Sequence, residues 1–270
     1  MSQALSLLGL GIALSCREDA EAENQFSGMT VRFGASINTV LANFVSLRDC
    51  RRLTQQMRLA LSASCDALHT AGWDPSEDMA VVIGTQYGNT AASMDMLDSL
   101  CPGDPTLASP TAFACSVTNS CASTISIHLG IRGPLMTVSQ GMLSFAEAAR
   151  TAFFLLESGR ATKVLLGASE DYDPRLRLCA QRVGQSFPKT GGAVFFSVSK
   201  ASEQYPLLSF TQKSAGTPSF GQSTYGPLAQ AIALAKAFAR RENGVFSAQD
   251  YGWTVHLRLA HCRFSAGIGR

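Results

Sequence analysis

The stretch Thr137-Val-Ser-Gln-Gly-Met-Leu-Ser-Phe145 decides the fold, because the hydrophobic period changes inside it. Leu135 to Val138 reads as a short strand. Ser139, Gly141 and Ser144 are small residues suited to a tight turn, and a hydroxyl at a helix start is an ordinary cap. Phe145, Ala148, Ala149, Ala152, Phe153 and Leu156 then share one stripe at helical spacing, with Glu147, Arg150 and Glu157 off it. The reading is strand, sharp turn, long amphipathic helix.

The same alternation continues on both sides. Upstream, Leu53, Met57, Ala60, Leu61 and Leu68 predict a helix stopped by Gly72, and Ala80 to Ile83 predicts a strand covered on both faces. Asn89 is placed to cap a short helix carrying Met94, Leu97 and Leu100, and Asn119 another that runs through Ile125 and Leu129 to Gly130. Downstream, Lys163 to Ala168 and Gly191 to Phe196 read as strands, with a loop or short helix over Asp171 to Gln185 between them. Ser214 to Ser223 reads as a linker, Leu228, Ala231, Ile232, Ala235 and Phe238 mark a further helix, and Thr254 to Leu259 alternates as a half-buried strand. Strands and helices in turn imply a layered α/β sheet.

Composition narrows the function classes. The chain has 270 residues, 46% of them hydrophobic and 16% charged, enough for a core and a wettable surface in one large or two small domains. A net charge of +2 gives no electrostatic reason to expect nucleic acid; Arg51-Arg52 and Arg240-Arg241 read as solvated helix positions. No apolar run approaches the roughly 20 residues of a membrane span. Ala13-Leu-Ser-Cys16 faintly resembles a lipoprotein signal, but no Lys or Arg precedes it and two glycines fit a first strand better, so a cytoplasmic protein is expected. There are eight cysteines without a C-x-x-C pair, most of them in apolar surroundings that read as reduced and buried, and neither a metal nor a cofactor is called for.

Asn119, the apolar run to Leu129, Gly130-Ile-Arg-Gly133-Pro134 and Thr137-Val138 together resemble the N-terminal half of the β-ketoacyl synthases, of the thiolase superfamily. That family's pattern here is Asn, Gly-Leu-x-Gly-Pro, then Thr-Val-Asp-Thr-Ala-Cys-Ser-Ser. Leu5 to Leu14 is similar to its opening strand, Leu155 to Ala168 to the helix end and strand after its nucleophile, and Gly191 to Phe196 to the last strand of that half. The resemblance covers residues 1 to about 200. It implies a thiolase-like α/β fold, a layered mixed sheet with helices, with the N-terminal half complete over residues 1–200 and the second half strongly reduced, about one strand-helix-strand unit, over residues 201–270. The surface a full second half would cover must then be hidden by the short tail, a second copy or another subunit.

Aligned on Thr137-Val138, the family's cysteine falls at Met142. A condensing enzyme needs a sulfur there that ionises at a helix N-terminus and attacks a thioester; a thioether has no proton to lose. The resemblance implies a pocket lined by Asn119, Ser139, Gly141, Met142 and Ser144, without a nucleophile. The family's two histidines have one weak match, Ala260-His261, where Cys262-Arg-Phe-Ser265 replaces the family's glycines and threonines. His128, His69 and His256 read as structural. Ser139 or Ser144 would serve as nucleophile only with a base beside it, and Cys115 and Cys121 read as packing.

Two function classes follow from the resemblance. In the first, the chain is a non-condensing partner of the chain-length-factor type in fatty-acid or polyketide biosynthesis. It then assembles as a homo- or hetero-oligomer with a ketosynthase subunit and an acyl carrier protein, and Leu135 to Val138 and the helix from Asn119 lie at the subunit interface. In the second, it is a divergent acyltransferase or hydrolase acting on acyl thioesters. A truncated, inactive remnant is the remaining alternative.

Overall fold

The computed structural model describes residues 3–15, 29–100, 103–182, 191–214, 226–250 and 253–261. Its first strand, β1 (Ala4–Leu14), and its long helix, α3 (Gln55–Ala71), set the spacing of the whole first half. The Thr54 hydroxyl accepts the Met57 N–H at 3.3 Å to open α3, and Gly72 closes it in the left-handed conformation with φ 66°. A Cβ on Gly9 would stand 2.1 Å from the Ala67 carbonyl oxygen, and one on Gly11 2.0 Å from that of Ala63. The two glycines of the opening strand are therefore what lets α3 lie on β1.

The remaining elements alternate. β2 (Val31–Phe33), α1 (Ala35–Leu41) and α2 (Leu47–Cys50) precede α3. After it come β3 (Ala80–Gly84), α4 (Thr90–Leu100), α5 (Pro110–Ser116), α6 (Ser120–Leu129) and β4 (Leu135–Val138). Then follow α7 (Ser144–Glu157), β5 (Val164–Glu170), α8 (Pro174–Arg182) and β6 (Gly192–Lys200). β7 (Leu207–Ser214), α9 (Pro227–Arg240), β8 (Gly244–Asp250) and β9 (Trp253–Ala260) complete the described chain. The strands form one mixed sheet in the order β4-β3-β5-β6-β1-β7-β9-β8, with β2 beside β1. β3, β4 and β5 are parallel, β6 runs against β5 and β1, and β9 runs against both of its neighbours, β7 and β8. The expected loop or short helix after Asp171 is α8, whose Arg175 is paired with Asp95, Asp98 and Asp173. Beyond Ser214 the expected linker lies outside the described residues, as does Cys262-Arg-Phe-Ser265.

One core lies on each face. α1, α3 and α6 cover one side of β1, β3, β5 and β6, through Leu61, Ile83, Ile125 and Phe195. α7 and α9 cover the other, where Phe145, Ala149, Ala152, Leu234 and Phe196 are shielded from water. α7 and α9 also touch β8 and β9, so the sheet folds round these two helices past the junction of β1 with β7, which is only three residue pairs long. The short tail thus covers the helices itself. Its strands bury Val255, Leu257, Leu259 and Ala248 inward, while Arg258, Val245 and Ser247 are exposed on the outward side. It holds one more strand than the strand-helix-strand unit expected from its length.

Gly84 shows how closely the layers meet below the decisive turn. A Cβ there would lie 2.6 Å from the Ser144 carbonyl oxygen and 2.7 Å from Phe145 Cα. Gly84→Val is expected to lower the urea unfolding free energy by about 1–3 kcal/mol, the usual cost of overpacking a filled core. An unchanged midpoint would mean that strand and helix separate freely.

Candidate functional site

The turn between β4 and α7 is built from backbone hydrogen bonds and one hydroxyl. Val138 ends its strand by accepting the Thr85 N–H at 3.0 Å. The Ser144 hydroxyl accepts the Gln140 N–H at 2.8 Å and donates to the Gly141 carbonyl at 2.7 Å, closing a single helical turn over Gly141–Leu143. Gly141 has φ 54°, a conformation that costs a side-chain-bearing residue energy. Leu143 and Phe145 point into the core, and Phe145 packs on Phe196 with centroids 6.2 Å apart. Met142 is half-buried at the head of α7, and its backbone N–H donates to Asp250 Oδ2 at 3.0 Å. Asp250 comes from the end of β8, so the second half of the chain reaches into the turn of the first.

The structure brings Ser139, Gly141, Met142 and Ser144 together and sets Asn119 apart. Asn119 stands exposed at the N-cap position of α6, at the same end of the sheet, but its side chain makes no capping bond and no hydrogen bond among the described residues joins it to the turn. Ser144 is fully buried with its hydroxyl engaged on both sides, and Ser139 is exposed. Cys121 is buried, and desolvation pushes its thiol up to about 12. Burial raises Cys115 as well. None of these groups has the electropositive, partly open surroundings of a reactive nucleophile.

His261 sits at the wrong end of its strand pair. Asp250 is opposite Trp253 in the β8–β9 ladder, and His261 lies eight residues further on, roughly 25 Å at the usual strand rise. There its N–H donates to Asn243 Oδ1 at 2.8 Å and its ring stacks on Phe238, while desolvation lowers its pKa. Among the described residues no hydrogen bond or ring contact joins any histidine to the turn. His256 takes a cross-strand bond with Ser247 at 2.6 Å. No group of three or more metal-ligating side chains occurs among the described residues.

Sequence reasoning missed two carboxylates. Asp250 is one; its only signal is an acid at a strand end before Tyr251-Gly252. Glu170 is the other, fully buried at the end of β5. It accepts from the Thr85 hydroxyl at 3.2 Å, from the Tyr87 N–H at 3.2 Å and from the Gln86 N–H, and so ties the loop after β3 to β5. Burial raises its pKa to about 8, against the pull of these donors. Asp171 beside it accepts the Ala91 N–H at 3.2 Å and is raised by burial too.

Comparisons with known proteins agree with this architecture. A family model described as β-ketoacyl synthase, N-terminal domain, matches residues 35–254. A Streptomyces halstedii protein named as a polyketide β-ketoacyl synthase is 30% identical over 130 residues, covering 44% of this chain and 31% of its own length. The 3-oxoacyl-[acyl-carrier-protein] synthase 2 of Vibrio harveyi is 23% identical over 154 residues, 54% of this chain and 35% of that one. The chain thus spans about a third of the length of these curated relatives. Among solved structures, the ishigamide ketosynthase/chain length factor superposes with a TM-score of 0.72 at 15% identity, over 95% of this chain and 99% of that one. A ketosynthase in complex with its chain length factor from Xenorhabdus doucetiae gives 0.65 at 18% identity, over 96% and 99%. At such identities the likeness is one of fold, here a thiolase-like mixed sheet matched along nearly the whole of both chains.

Proposed function

The chain belongs to the β-ketoacyl synthase family, through its N-terminal domain, and on that premise we propose that it is a non-condensing subunit of the chain-length-factor type. It pairs with an active ketosynthase in fatty-acyl or polyketide assembly. The observation that carries this reading is Met142, a thioether at the head of α7 on an otherwise well-formed strand–turn–helix. A chain without an ionisable sulfur there cannot hold an acyl group as a thioester. Residues 201–270 then contribute elements of a second half, a reading supported by chains of ketosynthase/chain-length-factor structures that superpose over nearly their full extent.

The expected interface has the right chemistry. β4 is an edge strand of the sheet, and Met136 on it, Phe113 and Ile127 in the two preceding helices and Val117 between those helices are exposed. An open strand edge among exposed apolar side chains is a template for pairing with another chain. The acyl carrier protein would then serve the pair, delivering its thioester to the partner's cysteine. No helix of the described residues is long and apolar enough to cross a membrane. Coexpression with an active ketosynthase from the same source should yield a stable heterodimer by size exclusion. The same chain alone should gain no mass from acyl carrier thioesters. Acylation of the unaltered chain, or a ketosynthase that elutes without it, overturns the reading.

A further inference from the structure

We propose that Asp250 is a second barrier to acyl capture, separate from Met142: a carboxylate from the short second half occupies the backbone donor that a reacting carbonyl at this turn would need. The inference rests on position 142 being the nucleophile position of the proposed function. It concerns what else keeps the site silent.

The argument begins with the donors of the turn. Gln140 N–H is spent on the Ser144 hydroxyl and Leu143 N–H on the Gln140 carbonyl, both within the loop. The Met142 N–H is instead drawn to a side chain 108 residues away, at 3.0 Å. An N–H at the head of a fourteen-residue helix is where negative charge is stabilised, by the unpaired donor and by the helix dipole together. In acyl transfer that is the place for the oxygen of the tetrahedral intermediate. Here a nearly buried carboxylate already fills it.

Two consequences follow for a thiol placed at 142. The neighbouring negative charge opposes ionisation, so the thiolate is scarce at neutral pH. The carbonyl of an incoming thioester meets an acceptor where it needs a donor, so its oxyanion is destabilised. Replacing the methionine therefore restores the sulfur without restoring the reaction.

The test uses the full chain as Met142→Cys, alone and combined with Asp250→Ala or Asp250→Asn, and S-hexanoyl-N-acetylcysteamine as the acyl donor. In the reaction sought, the thiolate at 142 forms a bond to the carbonyl carbon as the probe's carbon–sulfur bond breaks. The thiol proton goes to solvent and the released thiolate takes one up. Peptide mass mapping separates position 142 from the natural cysteines, and the pH profile of iodoacetamide alkylation there gives the apparent thiol pKa. Met142→Cys alone is expected to acylate slowly, and Met142→Cys with Asp250→Ala at least ~10-fold faster. Asp250→Asn, which keeps an acceptor for the N–H but removes the charge, is expected to lower the thiol pKa by about one unit if the carboxylate acts as described. A merely structural pin between β8 and the turn would leave that pKa unmoved. An acylation ratio near one, including the case in which neither variant is labelled, overturns the proposal. Heterodimer formation is a separate readout, so this result leaves the pairing reading standing or falling by itself.

Discussion

Thr137→Pro is expected to abolish copurification with the partner ketosynthase while leaving the isolated chain folded. The register explains why one residue separates the two outcomes. Val81 donates to the Pro134 carbonyl and Thr85 to the Val138 carbonyl, each at 3.0 Å, so the even-numbered residues of β4 turn their backbone groups toward β3. Leu135 and Thr137 turn theirs outward, to the open edge of the sheet. Proline at 137 removes an outward N–H and fills its place with a ring, a change that edge strands tolerate because no internal ladder bond is lost. For the proposed heterodimer the loss is direct. One missing donor and the partner carbonyl left unpaired cost on the order of 1–3 kcal/mol, about tenfold or more in affinity before any steric clash. Size exclusion of the coexpressed pair and the thermal midpoint of the chain alone are the measurements. A heterodimer that survives Thr137→Pro at unchanged affinity would place the interface elsewhere.

That prediction draws on parts of the molecule that the sequence shows unevenly. The helical stripe from Phe145 to Leu156, the helix stopped at Gly72 and the apolar strands β3 and β5 were legible because their periods are long or their burial complete. β7 and β8 were not. Leu207-Leu-Ser-Phe-Thr-Gln-Lys-Ser214 and Gly244-Val-Phe-Ser-Ala-Gln-Asp250 are short and mixed in polarity, and they become strands through their pairing with β9, which local pattern cannot show.

The site divides in the same way. Ser139, Gly141, Met142 and Ser144 are near neighbours in sequence and in space, so reading the turn located them together. Asp250 meets the turn across 108 residues, and no spacing rule connects them. The asparagines mark the limit of capping rules. Asn119 holds the cap position without a capping bond, and Asn89 sends its amide to the Thr54 hydroxyl, joining the start of α4 to that of α3. For Asn89, a residue type with several uses was put to a use other than the local one. His261 fails for a topological reason: β9 runs away from the turn, so a motif match at its far end carries its ring out of reach.

Glu170 supplies the expected result with the largest reach into stability. Its carboxyl keeps its proton to about pH 8 in the folded chain, whereas exposure in the unfolded chain returns it toward the ordinary value of 4.5. Between these limits the native state binds more protons than the unfolded state, so stability is greatest on the acid side and falls as pH rises from about 5 to about 8. At about 1.36 kcal/mol per unit the upper bound is on the order of 5 kcal/mol. Asp171, also raised by burial, acts in the same direction. Tyr87 and Tyr172 face the carboxyl with pKa values raised above their ordinary range, and the Cys121 thiol is pushed up to about 12, so none of the three ionises in this window. His261, lowered by burial, works the other way near its ordinary value, which makes the difference between variants the useful quantity. Glu170→Gln keeps the size of the side chain and an oxygen for the Gln86 N–H, without a titrating proton; its amide nitrogen then stands where the Tyr87 N–H and the Thr85 hydroxyl donate, a cost that lowers stability at every pH and leaves the pH slope as the quantity compared. The thermal midpoint of the unaltered chain should therefore drop between pH 5.5 and 8 by several degrees more than that of Glu170→Gln, as followed by circular dichroism. Parallel curves for the two proteins would show that the carboxyl at the end of β5 is already ionised when the chain is folded. The charge would then be held by the Gln86 and Tyr87 donors against its burial.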